Sequence, residues 1–245
     1  MIVTKLEYSK KNSNRANLFV DDRFEASVLV DSVVNMSLKK GDTITEIDLR
    51  ALKSEAGWQK WIDKIYNFIS VRPRSSKEVS DYIAQKLFKY KTLELETGLE
   101  LSQIDKDATN EETNLLGVLN NKDLIESLIA YVTDRGYIND VDFAVWFTKQ
   151  RLLGGSPKGF DYIKSELFAK GVSKQNIETA FIKVKEDSTI SESDSLNKAF
   201  EKQKRKLEGL GVDKNATNKV IQYLLSKGFK YKDIKVKVDE YTHQI

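Results

Sequence analysis

Cysteine is missing from the 245-residue chain. That excludes disulfides, thiolate zinc sites, iron–sulfur clusters and cysteine nucleophiles. Histidine occurs once, as His243 near the end, so a Ser-His-Asp triad or a His-rich metal site would need the tail to fold into a pocket. Proline and glycine number 2 and 12, too few turn formers for an all-β sandwich or barrel. No apolar run reaches the roughly 18–20 residues that cross a membrane, and Met1 to Lys11 lacks the apolar stretch of a signal peptide. A cytoplasmic placement is therefore expected. The glycosylation sequons Asn35-Met36-Ser37 and Asn215-Ala216-Thr217 are read as chance matches. Aromatic residues are plentiful, with 3 Trp, 10 Tyr and 11 Phe, which excludes wholesale disorder.

The net charge of +3 hides an uneven distribution. Residues 92 to 127 hold nine acids against Lys106 and Lys122, whereas residues 198 to 237 hold twelve basic residues against four acids. Such asymmetry suits electrostatic contact with a charged partner. Its plainer explanation is a lysine-rich solvated surface on short helices.

Along the chain, Ile2 to Tyr8, Asn17 to Val20 and Phe24 to Val28 have β patterns separated by Asn12-Ser13-Asn14 and Asp21-Asp22-Arg23. They predict a small antiparallel meander that must pack on something else. From about residue 45 the period is helical. Trp58, Trp61, Ile62, Ile65, Tyr66 and Ile69 share one helix face. Pro73 ends that helix, and Ser75 caps the next with Glu78 at its third position. Residues 91 to 116 read as an acidic loop insertion, with a short hairpin suggested by alternating leucines. A helix through Leu124 and Val132 ends at Gly136, and Asn139 or Asp140 caps its successor. Ser156-Pro157 reads as an N-cap with proline in the first turn. Ser173 caps a further helix, residues 187 to 195 mark a polar junction, and three more helices follow, the middle one capped by Asp213.

The helical part repeats. Asp81-Tyr82-Ile83 with Leu87-Phe88 recurs as Asp161-Tyr162-Ile163 with Leu167-Phe168, shifted by 80. Ile163, Leu167, Lys170, Gly171 and Ile177 recur as Val220, Leu224, Lys227, Gly228 and Ile234, shifted by 57. The expected fold is mainly α: three tandem three-helix, helix-turn-helix-like repeats in an elongated curved body, with a small N-terminal β segment. The expected parts are residues 1–56 (β segment and linking helix), 57–137 (first repeat with its insertion), 138–187 and 188–245.

Ile69-Ser70-Val71-Arg72-Pro73-Arg74-Ser75-Ser76-Lys77-Glu78 resembles the opening motif of the RecX family, bacterial regulators of the recombinase RecA. Arg135-Gly136-Tyr137-Ile138-Asn139-Asp140, with Phe143-Ala144 and Arg151, is similar to the family's central signature. Gly159, Ile163, Glu166-Leu167 and Lys170-Gly171-Val172 resemble the next, and Tyr223-Leu224, Gly228-Phe229 and Ile234 the third. The β segment and acidic insertion look like those of the longer members from low-GC Gram-positive bacteria. The resemblance implies tandem three-helix repeats. It also implies a cytoplasmic protein that binds RecA–DNA filaments and limits their recombinase and coprotease activities, with no catalysis and no cofactor.

The candidate partner- or DNA-binding residues are basic. Arg72 and Arg74 flank Pro73 at a helix boundary and suit a phosphate or an acidic partner, although Pro73 and Ser75 are explained by the boundary itself. Arg151 either binds a partner or caps carbonyls. Lys202, Lys204, Arg205 and Lys206 form a run on one helix, with Lys230 and Lys232 close behind in sequence. Contacts from such residues to DNA phosphates need no sequence code and are salt-dependent. Lys170-Gly171 and Lys227-Gly228 read as helix ends, their lysines favoured by the dipole. The tryptophans read as core and not as base-stacking platforms. Asp105-Lys106-Asp107 fails as a calcium loop, and Gly154 to Gly159 fails as a phosphate loop. Two other functions remain open: direct DNA binding through helix-turn-helix-like repeats, for which Asn215 and Asn218 lie near the start of a repeat helix although no such cluster is repeated, and an enzyme, for which no nucleophile or cofactor loop is arranged. A monomer is expected.

Overall fold

The first 29 residues alternate apolar and polar side chains, and in the computed structural model they form three antiparallel strands. The structure describes residues 1–10, 12–97, 121–187, 189–208 and 214–242. Strand β1 (Val3–Tyr8) pairs with β2 (Arg15–Val20), which pairs with β3 (Arg23–Leu29). The inward-facing Val3, Leu18, Val20, Ala26 and Val28 are all nearly inaccessible and form one core with Ile44, Leu49 and Leu52. The sheet therefore buries its apolar face on a helix, as a sheet this small must.

Ten helices lie among the described residues: α1 (Val30–Asn35), α2 (Glu46–Ser70), α3 (Ser76–Thr97), α4 (Asn121–Asp134), α5 (Asp140–Leu153), α6 (Phe160–Ala169), α7 (Lys174–Glu186), α8 (Glu192–Glu208), α9 (Lys214–Ser226) and α10 (Tyr231–Thr242). The chain is thus mainly helical with a small N-terminal sheet, as expected from its sequence. It divides into two compact units, one of residues 1–72 and 79–137, the other of residues 73–78 and 138–245.

In the first unit, Thr45 and Asp48 make a reciprocal capping box at the start of α2. Trp61, Ile62 and Ile65 are buried along its apolar stripe, and Trp58 meets Tyr131 of α4 edge-on at 5.7 Å. Tyr66 lies 4.6 Å from Tyr137, and burial with that neighbour pushes the Tyr66 hydroxyl up to about 12. Arg15, in a stretch that reads as polar turn, is buried. Its guanidinium donates to the Ser27 carbonyl at 2.9 Å and the Ala56 carbonyl at 3.2 Å, tying β2 to β3 and to α2.

The second unit holds two three-helix cores. Phe143, Ala144, Leu152, Ile163, Leu167, Ile177 and Val184 unite α5, α6 and α7. Leu196, Ala199, Phe200, Val220, Leu224, Ile234 and Val238 unite α8, α9 and α10. The recurring pairs Ile163 and Val220, Leu167 and Leu224, and Ile177 and Ile234 are all buried.

Three expectations are corrected. Helix α3 continues to Thr97, so residues 91–97 are helical and Leu93 and Leu95 do not alternate in a hairpin; the rest of the insertion, with the Asp105 motif, lies outside the described residues. Helix α6 starts at Phe160 with Gly159 as N-cap, not at Ser156-Pro157, because the turn before it is used to cross the end of α9. The polar junction narrows to residues 187–191, since α8 already begins at Glu192. Asp213 and His243 also lie outside the described residues.

Candidate functional site

In the second unit, two helix starts are seated on two helix ends. Ser75, fully buried, accepts from the Glu78 amide at 3.1 Å and caps α3, while its hydroxyl donates to the Lys170 carbonyl at 2.8 Å. The Ser76 amide donates to Asp140 at 2.8 Å. Lys170 and Gly171 end α6, with Gly171 at φ +78° packed against the Lys77 side chain. The Lys170 ammonium reaches the Glu78 carboxylate at 2.6 Å, both side chains less than a third exposed, and lies 5.5 Å from the Phe147 ring centroid.

The second seat again joins a helix start to a lysine-glycine helix end, here through backbone groups. The Gly159 amide donates to the Lys227 carbonyl at 2.8 Å. A Cβ on Gly159 would overlap the Gly228 carbonyl, and one on Gly228, at φ +83°, would overlap the Tyr162 backbone. No side chain of the local sequence caps α6. Glu192 does so from a distance, accepting from the Phe160 amide at 2.8 Å. Burial raises the Glu192 carboxyl above its ordinary value, the Phe160 hydrogen bond and Lys230 oppose the rise, and Asp161 and Asp233 add to it.

Around this second seat the cations converge. Arg151 donates through Nη2 to Glu166 at 2.9 Å; its Nε lies 2.8 Å from the other carboxylate oxygen as a charge contact outside hydrogen-bond geometry. Lys158 donates its amide to the Arg151 carbonyl at 3.1 Å, and its ammonium stands 4.2 Å from the Tyr162 ring centroid. The Lys227 ammonium stands 4.9 Å from the Tyr223 ring. Lys158 adjoins Gly159, whose amide meets the Lys227 carbonyl, so both lysines border this seat. Burial first, then Lys227, with Arg151 adding, pushes Lys158 below the usual lysine range, and Glu166 opposes them. Among the described residues neither lysine has an ion pair.

The sequence-derived candidates separate accordingly. Arg72 belongs to the first unit and Arg74 to the second; both are half-buried and engaged by neighbouring groups. Arg151 is at the second seat. Lys202, with Lys198 at 3.0 Å from the Leu153 carbonyl, donates to the carbonyls that end α5, Lys202 taking that of Gly155. Lys204 pairs loosely with Glu201 at 3.9 Å and lies 5.1 Å from the Tyr241 ring. Lys230, just before α10, and Lys232, in its first turn, are exposed. The side chains of Arg205 and Lys206 lie outside the described ones. Sequence reading missed Lys158 and took Lys227 as architectural only. The signal was present: the shift of 80 that equates Asp81 with Asp161 equates Glu78 with Lys158, and the shift of 57 equates Lys170 with Lys227.

The family model described as regulatory protein RecX N-terminal domain matches residues 1–45. The chain is 26% identical to the regulatory protein RecX of Listeria innocua, over 100% of this chain and 77% of that protein. It is 26% identical to that of Staphylococcus carnosus over 97% of both, and 26% identical to that of Bacillus subtilis over 99% of this chain and 78% of that protein. A crystal structure of regulatory protein RecX superimposes with a TM-score of 0.62 at 18% identity, covering 96% of this chain and 97% of that one. RecX from Lactobacillus salivarius gives 0.52 at 22% identity over 77% and 98%. These two likenesses carry the fold, and the resemblance drawn from the motifs is borne out. No helix among the described residues is long and apolar enough to cross a membrane.

Proposed function

We propose that this chain, related along its whole length to the RecX regulatory proteins of Gram-positive bacteria, binds filaments of the recombinase RecA on DNA and restrains their recombinase and coprotease activities. It does so as a cytoplasmic binding protein without a reaction of its own. The observation that carries this reading is the full-length relationship to proteins named as regulators. The basic residues around the end of α5 and the start of α6 support it, because cations set among aromatic rings suit a polyanionic assembly. The chain acts as a monomer and either occupies the filament groove or caps filament ends.

ATP hydrolysis by the cognate RecA on single-stranded DNA tests the proposal, with this protein titrated from substoichiometric to equimolar. Inhibition at low ratios indicates capping or disassembly, and inhibition only near equimolar indicates groove coating. No effect from the folded protein sinks the reading. Direct DNA binding by the chain alone is the second reading, favoured by the same cationic surface. It requires an affinity for DNA without RecA that falls steeply with salt.

A further inference from the structure

The two three-helix cores of the second unit differ where their first and last helices meet. In the α5–α7 core, Ala180 of α7 is fully buried with the apolar residues of α5, and Lys183 of α7 reaches Asp142 of α5 at 3.7 Å. The shift of 57 puts Lys237 in the place of Ala180 and Glu240 in that of Lys183. The shift of 55 that equates Ala144 with Ala199 puts Asn197 in the place of Asp142. A lysine cannot enter a core as an alanine does, and the bridging ion pair has no counterpart. An open cavity of about 390 Å³ lies between α8 and α10. Its apolar lining is the buried Leu196 and Phe229 together with Val236, which is 52% exposed. Three acids also line it: Glu192 from α8, Asp233 and Glu240 from α10. Among the described residues Glu192 and Asp233 have no ion pair, and Lys237 pairs with Glu240 only at 3.8 Å. Burial raises the Glu192 carboxyl, Asp161 and Asp233 add to the rise, and the Phe160 hydrogen bond with Lys230 falls short of cancelling it.

We infer that this cavity seats an arginine side chain presented by a partner protein. The aliphatic stem lies on Leu196, Phe229 and Val236, and the guanidinium donates to the carboxylates of Glu192 and Asp233. A planar group with five donors serves carboxylates on two helices better than a compact ammonium does. A metal ion does not fit, because among the described residues no group of three acidic or histidine side chains could hold one. A nucleic acid strand does not fit either, because its phosphates would meet three carboxylates. The exposed Val236 adds apolar surface that the peptide backbone beside the arginine covers. The inference rests on the functional reading above only in taking the RecA filament as the partner.

Two measurements test it. In the first, the isotope-labelled full chain is titrated with the blocked peptide acetyl-Ala-Arg-Ala-amide and, separately, with its citrulline analogue, which keeps the shape and lacks the charge. Saturable amide shifts at Ser193, Asn197 and Asp233 are expected with arginine, with a dissociation constant on the order of millimolar. Binding is expected to be roughly tenfold weaker with citrulline, and for arginine in the variant Asp233→Asn/Glu240→Gln. The arginine–citrulline contrast needs no variant and stands even if the double variant unfolds. In the second, ATP hydrolysis by RecA on single-stranded DNA is measured. The double variant is expected to need roughly tenfold more protein than the parent for half-inhibition. The control Glu178→Gln/Asp194→Asn, which removes two exposed acids that do not line the cavity, stays within about twofold. No saturable shift with the arginine peptide, equal affinity for citrulline, or shifts confined to residues elsewhere overturns the inference. A parent that inhibits RecA no better than the folded cavity variant also overturns it. A parent that does not inhibit RecA at all sinks the functional reading alone, and the peptide titration then decides the cavity by itself.

Discussion

At the start of α3, Glu78 holds Lys170; at the start of α6, the position equivalent in the repeat is Lys158, beside the helix end that carries Lys227. Both seats use a lysine carbonyl and a glycine with positive φ, the first met by the Ser75 hydroxyl and the Lys77 side chain, the second by the backbones of Gly159 and Tyr162. The comparison teaches that recurrence and departure from recurrence carry different information. The glycine and the buried Ile163 and Val220 repeat because packing needs them. The charge at the seat inverts, from Glu78 at the first to Lys158 at the second, while the buried positions keep their character.

The largest expected effect addresses the shared backbone. Gly228→Ala adds a Cβ against the Tyr162 backbone at positive φ, and a cost of about 3 kcal/mol is expected. Gly171→Ala meets the Lys77 side chain instead, and about 2 kcal/mol is expected. Denaturant unfolding of both variants checks the order. Equal costs would show that the two seats are equally tight.

Next come the caps, local at one seat and remote at the other. Ser75→Ala removes the α3 cap and leaves the Lys170 carbonyl without its hydroxyl donor, costing about 2 kcal/mol. Glu192→Ala removes the α6 cap at about 1 kcal/mol, whereas Glu192→Gln keeps the acceptor and removes the charge. The folded-state carboxyl of Glu192 lies above its ordinary value of 4.5. Its contribution is therefore fully present below that pH and is lost as pH rises through the raised value. The Gln variant should gain on the parent protein as pH rises from 4 to 7 in paired thermal melts. Parallel curves would mean that the fold does not raise the Glu192 carboxyl above its ordinary value.

The smallest effect is the sharpest for the charge inversion. Lys158→Glu places at the second seat the acid that the first has and is expected to stabilise by about 0.5–1 kcal/mol in denaturant unfolding. Glu78→Gln makes the converse change at the first seat and costs a similar amount. If Lys158→Glu destabilises, Lys158 and Lys227 do not repel as described.

Much of this was legible in the chain. The sheet, the caps at Ser75, Asn139 and Ser173, and the helix ends at Gly136, Gly171 and Gly228 follow from local rules that act within a few residues. The tryptophan stripe of α2 was read as core, and Trp61 is fully buried. The cap of α6 was misread because its acceptor comes from Glu192, 32 residues away, beyond the reach of any local pattern. Arg15 was passed over because a charged residue in a polar turn normally faces water, and only the carbonyls of Ser27 and Ala56 make its burial tolerable.

By itself, then, the sequence determined the class of fold, the helix boundaries set by caps and glycines, the recurring apolar positions and the uneven charge. These depend on backbone preferences and on the period of burial. Tertiary structure alone decided which lysines are spent on carbonyls, as Lys198 and Lys202 are, which are neutralised, as Lys170 is, and which stand over aromatic rings, as Lys158 and Lys227 do. Charge interactions fall off with distance and depend on burial, and both are properties of the folded chain.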